Sequence, residues 1–125
     1  MKFKDEEHEQ AYATLLKRMD ADTQDVHHLA LAYLLTLDVV CREHLSDLYD
    51  FEDSCICPDA IGAEWQTGTS LKTTRLAFNL FNGGTAWTEE PERLAPAEIF
   101  CCDYAPYYWE AIEIRFHEYC FGNDL

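Results

Sequence analysis

The run Leu29-Ala-Leu-Ala-Tyr-Leu-Leu35 is apolar at every position, and a helix that is hydrophobic all round has to be enclosed on all sides. Thr23 or Asp25 stands upstream as a cap, and the apolar pattern continues to Leu37, so this helix is expected at the centre of a bundle. Other segments must then supply amphipathic faces to cover it. Residues 5–19 supply one: Ala11, Tyr12, Leu15, Leu16 and Met19 fall at helical spacing. Asp5, Glu6 and Glu7 occupy its first turn and Lys17 and Arg18 its last, each sign where the helix dipole favours it. Asp38 caps a third helix reaching about Tyr49, with Cys41, Leu45 and Leu48 facing in and Glu43, Asp47 and Asp50 facing out.

Residues 51–69 contain Pro58, Gly62 and Gly68 without sustained periodicity. They read as a long ordered loop anchored by Phe51 and Trp65, interrupted at most by a short strand pair. Such length invites a functional reading. Ser70 or Thr69 then caps a helix through Phe81 that Gly83-Gly84 ends. Pro96 opens a short helix to Cys102, and Pro106 a last helix carrying Trp109, Ile112, Phe116 and Tyr119. The expected fold is all-α: a compact bundle of five or six helices, in a single domain over 1–125, with a long loop after the third helix.

Charge narrows the function. The chain carries 24 Asp and Glu against nine Lys and Arg, a formal −15, and residues 21–60 alone sum to −8. Phosphate affinity comes from Lys and Arg, so direct binding to DNA, RNA or an anionic membrane is excluded as an expectation. No apolar leader opens the chain and no run approaches the ~18 residues of a membrane span, so a cytoplasmic protein is expected. In that reducing setting the six cysteines are expected as free thiols, mostly buried. The acidic block comprises Asp38, Glu43, Asp47, Asp50, Glu52, Asp53 and Asp59. On a helix a four-residue step rises about 6 Å, a coarse regular array of negative charge of the kind a nucleic-acid-binding groove accepts. The alternative is a solvated face that serves solubility.

Other constellations are weaker. Cys41-x-x-His44 with Cys55-x-Cys57 offers four ligands for a tetrahedral zinc, but C-x-C is tighter than usual zinc spacing and Cys41 already fits a core stripe. His117-x-x-Cys120 falls at a helix end. Glu110, Glu113 and His117 do not repeat the Glu-x-x-His pattern that di-metal bundles place on two helices. His8-Glu9 and His117-Glu118 each begin a zinc-protease signature, but Tyr12 and Phe121 stand where its second His belongs. Of His27-His28, one ring is expected in the core and one at the surface. No nucleophile elbow, Walker loop or Rossmann fingerprint is present. Lys72 and Arg75 on the fourth helix could bind a phosphate, but they read instead as internal partners of nearby acids, Arg75 in a structural ion pair.

Met1-Lys-Phe-Lys-Asp5, Asp47-Leu-Tyr-Asp-Phe-Glu-Asp53, Cys55, Pro58, Trp65-Gln-Thr-Gly68, Thr74-Arg-Leu-Ala-Phe-Asn-Leu-Phe-Asn-Gly83 and Tyr107-Tyr-Trp-Glu-Ala-Ile112 span nearly the whole chain. Together they resemble a family of small acidic proteins of Gram-positive gut bacteria and their mobile elements, a family without assigned activity. The resemblance transfers no catalytic residue. It implies a setting, because small acidic proteins of phages and conjugative elements frequently disarm host nucleases, some by imitating nucleic acid. The expected function is therefore non-enzymatic and cofactor-free: a monomer or homodimer that inhibits a basic nucleic-acid-binding protein, such as a CRISPR effector or restriction enzyme. Glu43, Asp47, Asp50, Glu52 and Asp53 would carry it, with Asp38 and Asp59 in the same block and Tyr49, Phe51 and Trp65 as aromatic anchors. The alternative is a small zinc-binding regulator or enzyme using Cys41, His44, Cys55 and Cys57.

Overall fold

The structure, a computed structural model, describes residues 1–84 and 90–121. Its centre is α2 (Val26–Leu37), in which every residue from Ala30 to Leu37 is buried. Three helices cover it: α1 (Glu6–Met19), α5 (Gly68–Asn82) and α7 (Ala105–Arg115). Leu31, Leu34 and Leu35 have no exposed surface, and each such burial contributes about 2 kcal/mol. The all-α expectation holds, with the apolar run in the place its composition demands.

Caps set the helix ends. Asp5 accepts the His8 N–H at 2.8 Å to open α1, and Asp25, one of the two expected caps, accepts the N–H groups of His27 and His28 to open α2. Gly83 closes α5 with φ +72°, a left-handed conformation in which a side chain is strained. Helix α5 starts earlier than expected. Thr67 and Ser70 form a reciprocal capping box, Thr67 Oγ1 accepting the Ser70 N–H and Ser70 Oγ the Thr67 N–H, so Ser70 lies inside the helix.

Two expected helices are broken. The third is split into α3 (Val39–Glu43) and α4 (Leu45–Leu48) at His44. The His44 Nδ1–H donates to the Val40 carbonyl at 2.9 Å, which a continuous helix reserves for the His44 backbone N–H; that N–H turns to Cys41 instead. The last helix breaks at Phe116 into α7 and α8 (His117–Phe121). Its stripe also differs from the expected one: Tyr108 and Ala111 are buried, while Trp109 is 53% and Tyr119 86% exposed. The short helix after Pro96, α6, spans Pro96–Ile99.

Segment 51–69 is shorter as a loop than its composition suggests. It holds the second strand of a two-stranded hairpin, β1 (Tyr49–Asp50) and β2 (Cys55–Ile56), and a 3₁₀ turn over Pro58–Gly62. Gln66 ties its end to the core, donating to the Ala60 carbonyl and Thr74 Oγ1 and accepting from Ser70 Oγ. The thiols differ from expectation too: all six cysteines are free, but only Cys41 is buried.

Candidate functional site: an unpaired acidic face

The hairpin sits where the chain leaves α4, and its geometry follows from three residues. Tyr49 pairs with Ile56 and Asp50 with Cys55 in antiparallel register, so Tyr49 and Ile56 point into the core and Cys55 outward. Asp50 Oδ1 accepts the N–H groups of Glu52 and Asp53 at 2.9 and 3.0 Å, the side-chain-to-backbone turn for which Asp is favoured. Ser54 completes the reversal at φ +54°. Beneath it, Tyr49 OH lies 3.1 Å from His28 Nε2, and His28 Nδ1 is 2.6 Å from the Asp25 carboxylate. The Nδ1–H donates to the carboxylate, which leaves Nε2 to accept from the Tyr49 hydroxyl. This relay pins the hairpin to the start of α2.

Exposed carboxylates flank that anchored hairpin along the chain. Glu43 and Asp47 are exposed on α3 and α4, Glu52 and Asp53 on the turn, Asp59 on the 3₁₀ turn and Glu64 just beyond it. Between Arg42 and Lys72 the sequence contains no Lys or Arg. Among the described residues the ion pairs involve Asp25, Glu7, Glu90 and Glu98 and none of these acids. Their proximity registers at Cys57, where burial pushes the thiol up and Cys55, Asp50, Asp47 and Asp59 push it further. Acids from α4, the hairpin and the 3₁₀ turn thus share one neighbourhood. Arg18 of α1 lies over the Phe51 ring at 4.0 Å.

The acids named from sequence divide by what they bond. Glu43, Asp47, Glu52, Asp53 and Asp59 are exposed, whereas Asp50 is half-buried and holds the turn. Asp38 does not belong to the face. It is 5% exposed, caps α3 by accepting the Cys41 N–H at 3.0 Å, and accepts from Tyr104 OH at 3.3 Å. Tyr49 is likewise a core residue, 1% exposed. Phe51 and Trp65 are half-buried, Phe51 between Arg18 and Tyr49 and Trp65 stacked on the His44 ring at 4.1 Å. Glu64 was not singled out from sequence, although the base-free interval enclosing it is legible there.

The four zinc candidates do not converge. Cys41 Sγ faces the Ser70 carbonyl and Thr74 Oγ1 inside the core, where burial pushes its thiol up to about 12. The His44 ring is committed to Val40 and Trp65. Among the described residues no group of three or more His, Cys, Asp or Glu could hold a metal ion. As expected, His27 is exposed, but His28 is only half-buried, in the Asp25–Tyr49 relay. The enclosed histidine is His8, which the sequence marks only as the start of an incomplete zinc-protease signature. Its Nε2–H donates to the Tyr33 carbonyl at 2.8 Å, its Nδ1 accepts the Lys4 N–H at 3.1 Å, and burial lowers its pKa.

Among the described residues no helix is long and apolar enough to cross a membrane. No curated protein and no solved structure matches the chain. A family of unknown function, DUF6075, matches residues 1–125, and the chain belongs to that family.

Proposed function

We propose that this protein is a non-enzymatic acidic interaction protein that inhibits a nucleic-acid-binding defence protein, such as a CRISPR effector or restriction enzyme. Its acidic face would occupy the basic groove that otherwise holds nucleic acid. The observation that carries this reading is the set of unpaired carboxylates around the hairpin. Folding uses Asp38 and Asp50 as bonded groups, but among the described residues it draws no ion pair from Glu43, Asp47, Glu52, Asp53, Asp59 or Glu64. Clustered like charge costs stability through self-repulsion and speeds encounter with a cationic partner. The hairpin is pinned to α2, so the charges are presented without a large ordering cost on binding. The mobile-element setting that the sequence resemblance implies supplies the class of target.

The test is competition for DNA on a panel of purified CRISPR effectors and restriction enzymes. The wild-type chain should displace DNA from a target, with an affinity that falls steeply as salt is raised. A triple reversal Asp47→Lys, Glu52→Lys, Asp53→Lys avoids the structural acids and should remove inhibition while leaving the circular dichroism spectrum unchanged. Undiminished inhibition by that variant would rule the face out as the binding surface.

A further inference from the structure

Six of the nine Lys and Arg lie elsewhere, with no more than two of them at any one cavity. Arg42 donates through Nε and Nη2 to the Thr36 carbonyl at 3.0 and 2.7 Å, and Arg115 through Nε to the Leu80 carbonyl at 2.7 Å. Lys2, Lys4 and Arg18 lie over the rings of Tyr107, Tyr104 and Phe51. Lys17 sits in the last turn of α1. The other three, Lys72 and Arg75 of α5 and Arg93 of the 3₁₀ turn Pro91–Leu94, line one cavity of about 370 Å³.

These cations are poorly satisfied where they stand. Arg75 Nε is shielded from solvent and has no hydrogen-bond partner among the described residues, and Arg75 Nη2 reaches Glu90 Oε2 only at 3.3 Å. Arg93 approaches Glu90 and Glu98 at 3.6 and 3.7 Å, beyond good hydrogen-bond length. The contact of Lys72 Nζ is the Cys101 thiol at 3.7 Å, a weak acceptor. A guanidinium carries five N–H donors and an ammonium three, so among the described residues the cavity is rich in donors and short of acceptors. Gly68 and Thr69, the first residues of α5, also line it, and N–H groups in a first turn have no intrahelical acceptor.

We propose that this cavity binds a phosphate group. Three cations meeting from two elements suit an oxyanion with several equivalent oxygens better than a planar carboxylate, which one arginine satisfies alone. Its volume lies near the lower end of the range for small-molecule sites, enough for a phosphate with a small organic substituent. A nucleic-acid strand is excluded by the −15 charge of the chain. Glu90 and Glu98 act as internal competitors, holding the cations in place until the phosphate displaces their long contacts.

Calorimetry and amide chemical-shift mapping on the full chain, at low ionic strength, test this with two probes: inorganic phosphate and glycerol 3-phosphate. Both should bind, with shifts centred on Gly68, Thr69, Lys72, Arg75 and Arg93. Lys72→Ala and Arg93→Ala, neither in the core, should each weaken binding about tenfold, and Glu98→Gln should strengthen it. Tighter binding of the ester identifies a phosphorylated metabolite, and equal affinity identifies free phosphate. Absence of binding at millimolar concentration overturns the proposal, as does binding that Lys72→Ala and Arg93→Ala leave unchanged in folded protein.

Discussion

Residues 43–64 and the cavity formed by α5, the turn Pro91–Leu94 and α6 treat charge in opposite ways. In the first, carboxylates crowd a hairpin with no Lys or Arg in the interval and no ion pair among the described residues. In the second, Arg75, Glu90, Arg93 and Glu98 form a continuous chain of opposite charges. The difference teaches which acids the fold consumes. Asp5, Asp25, Asp38 and Asp50 each accept backbone N–H groups, and removing such an acceptor leaves a donor stranded. Among the described residues the exposed acids of the hairpin face accept nothing comparable, so the fold does not depend on them.

The largest expected effect separates these two kinds of acid. Asp38→Ala removes the α3 cap and the acceptor of the Tyr104 hydroxyl and should cost about 2–3 kcal/mol in urea denaturation. Asp47→Ala and Glu52→Ala should stay within about 0.5 kcal/mol of wild type. Comparable losses at Asp38 and Asp47 would erase the distinction between consumed and unconsumed acids.

Acid titration sharpens it further. Burial of His8 disfavours its charged form and lowers its pKa from 6.5; protonation would set an Nδ1–H against the Lys4 N–H. A pKa lower in the folded than in the unfolded chain means stability is full above 6.5 and declines as pH falls below it through the folded value. The decline should disappear in His8→Gln. At Asp25, burial raises the pKa, but the hydrogen bonds from the His28 ring and backbone outweigh it and leave the carboxyl below 3.8. Its contribution is therefore present above 3.8 and lost as pH falls through the folded value. Asp25→Ala should cost about 1 kcal/mol and speed amide exchange first at Tyr49 and Ile56, because the relay through His28 is what holds the hairpin.

How much of this was legible in sequence depends on the range of the forces involved. Helix α1 and the buried α2 follow from periodicity and local caps, so they sit where the pattern puts them. The break at His44 does not, because it depends on a side chain taking the Val40 carbonyl and stacking on Trp65, a residue distant in sequence. The inward stripe of the last helix is not legible for a related reason: Trp109 and Tyr119 are aromatic like Tyr108, and only the position of α2 decides which face is covered. Counting acids located the face but could not sort it. Asp38 and Asp47 are the same residue type, and the Tyr104 hydroxyl that helps distinguish them comes from the far end of the chain.

Salt gives a smaller effect of predictable sign. Screening relieves repulsion among the hairpin carboxylates, so wild-type stability should rise by a few tenths of a kcal/mol to about 1 kcal/mol between low and high sodium chloride. The triple reversal Asp47→Lys, Glu52→Lys, Asp53→Lys should flatten that rise. A gain of equal size in both proteins would place the repulsion elsewhere.

The smallest effect concerns the opposite region. Arg93 and Glu98 are each about half exposed, at 48% and 47%, and 3.7 Å apart. Pairs in such surroundings contribute a few tenths of a kcal/mol. A double-mutant cycle of Arg93→Ala and Glu98→Ala should therefore return a coupling near 0.3 kcal/mol. That small value would mean that charge pairing around the cavity does little for stability, leaving its cations free to exchange a carboxylate for a phosphate. Coupling well above 1 kcal/mol would make the pair a structural device, and the two regions would then differ in how they stabilise the fold rather than in what they bind.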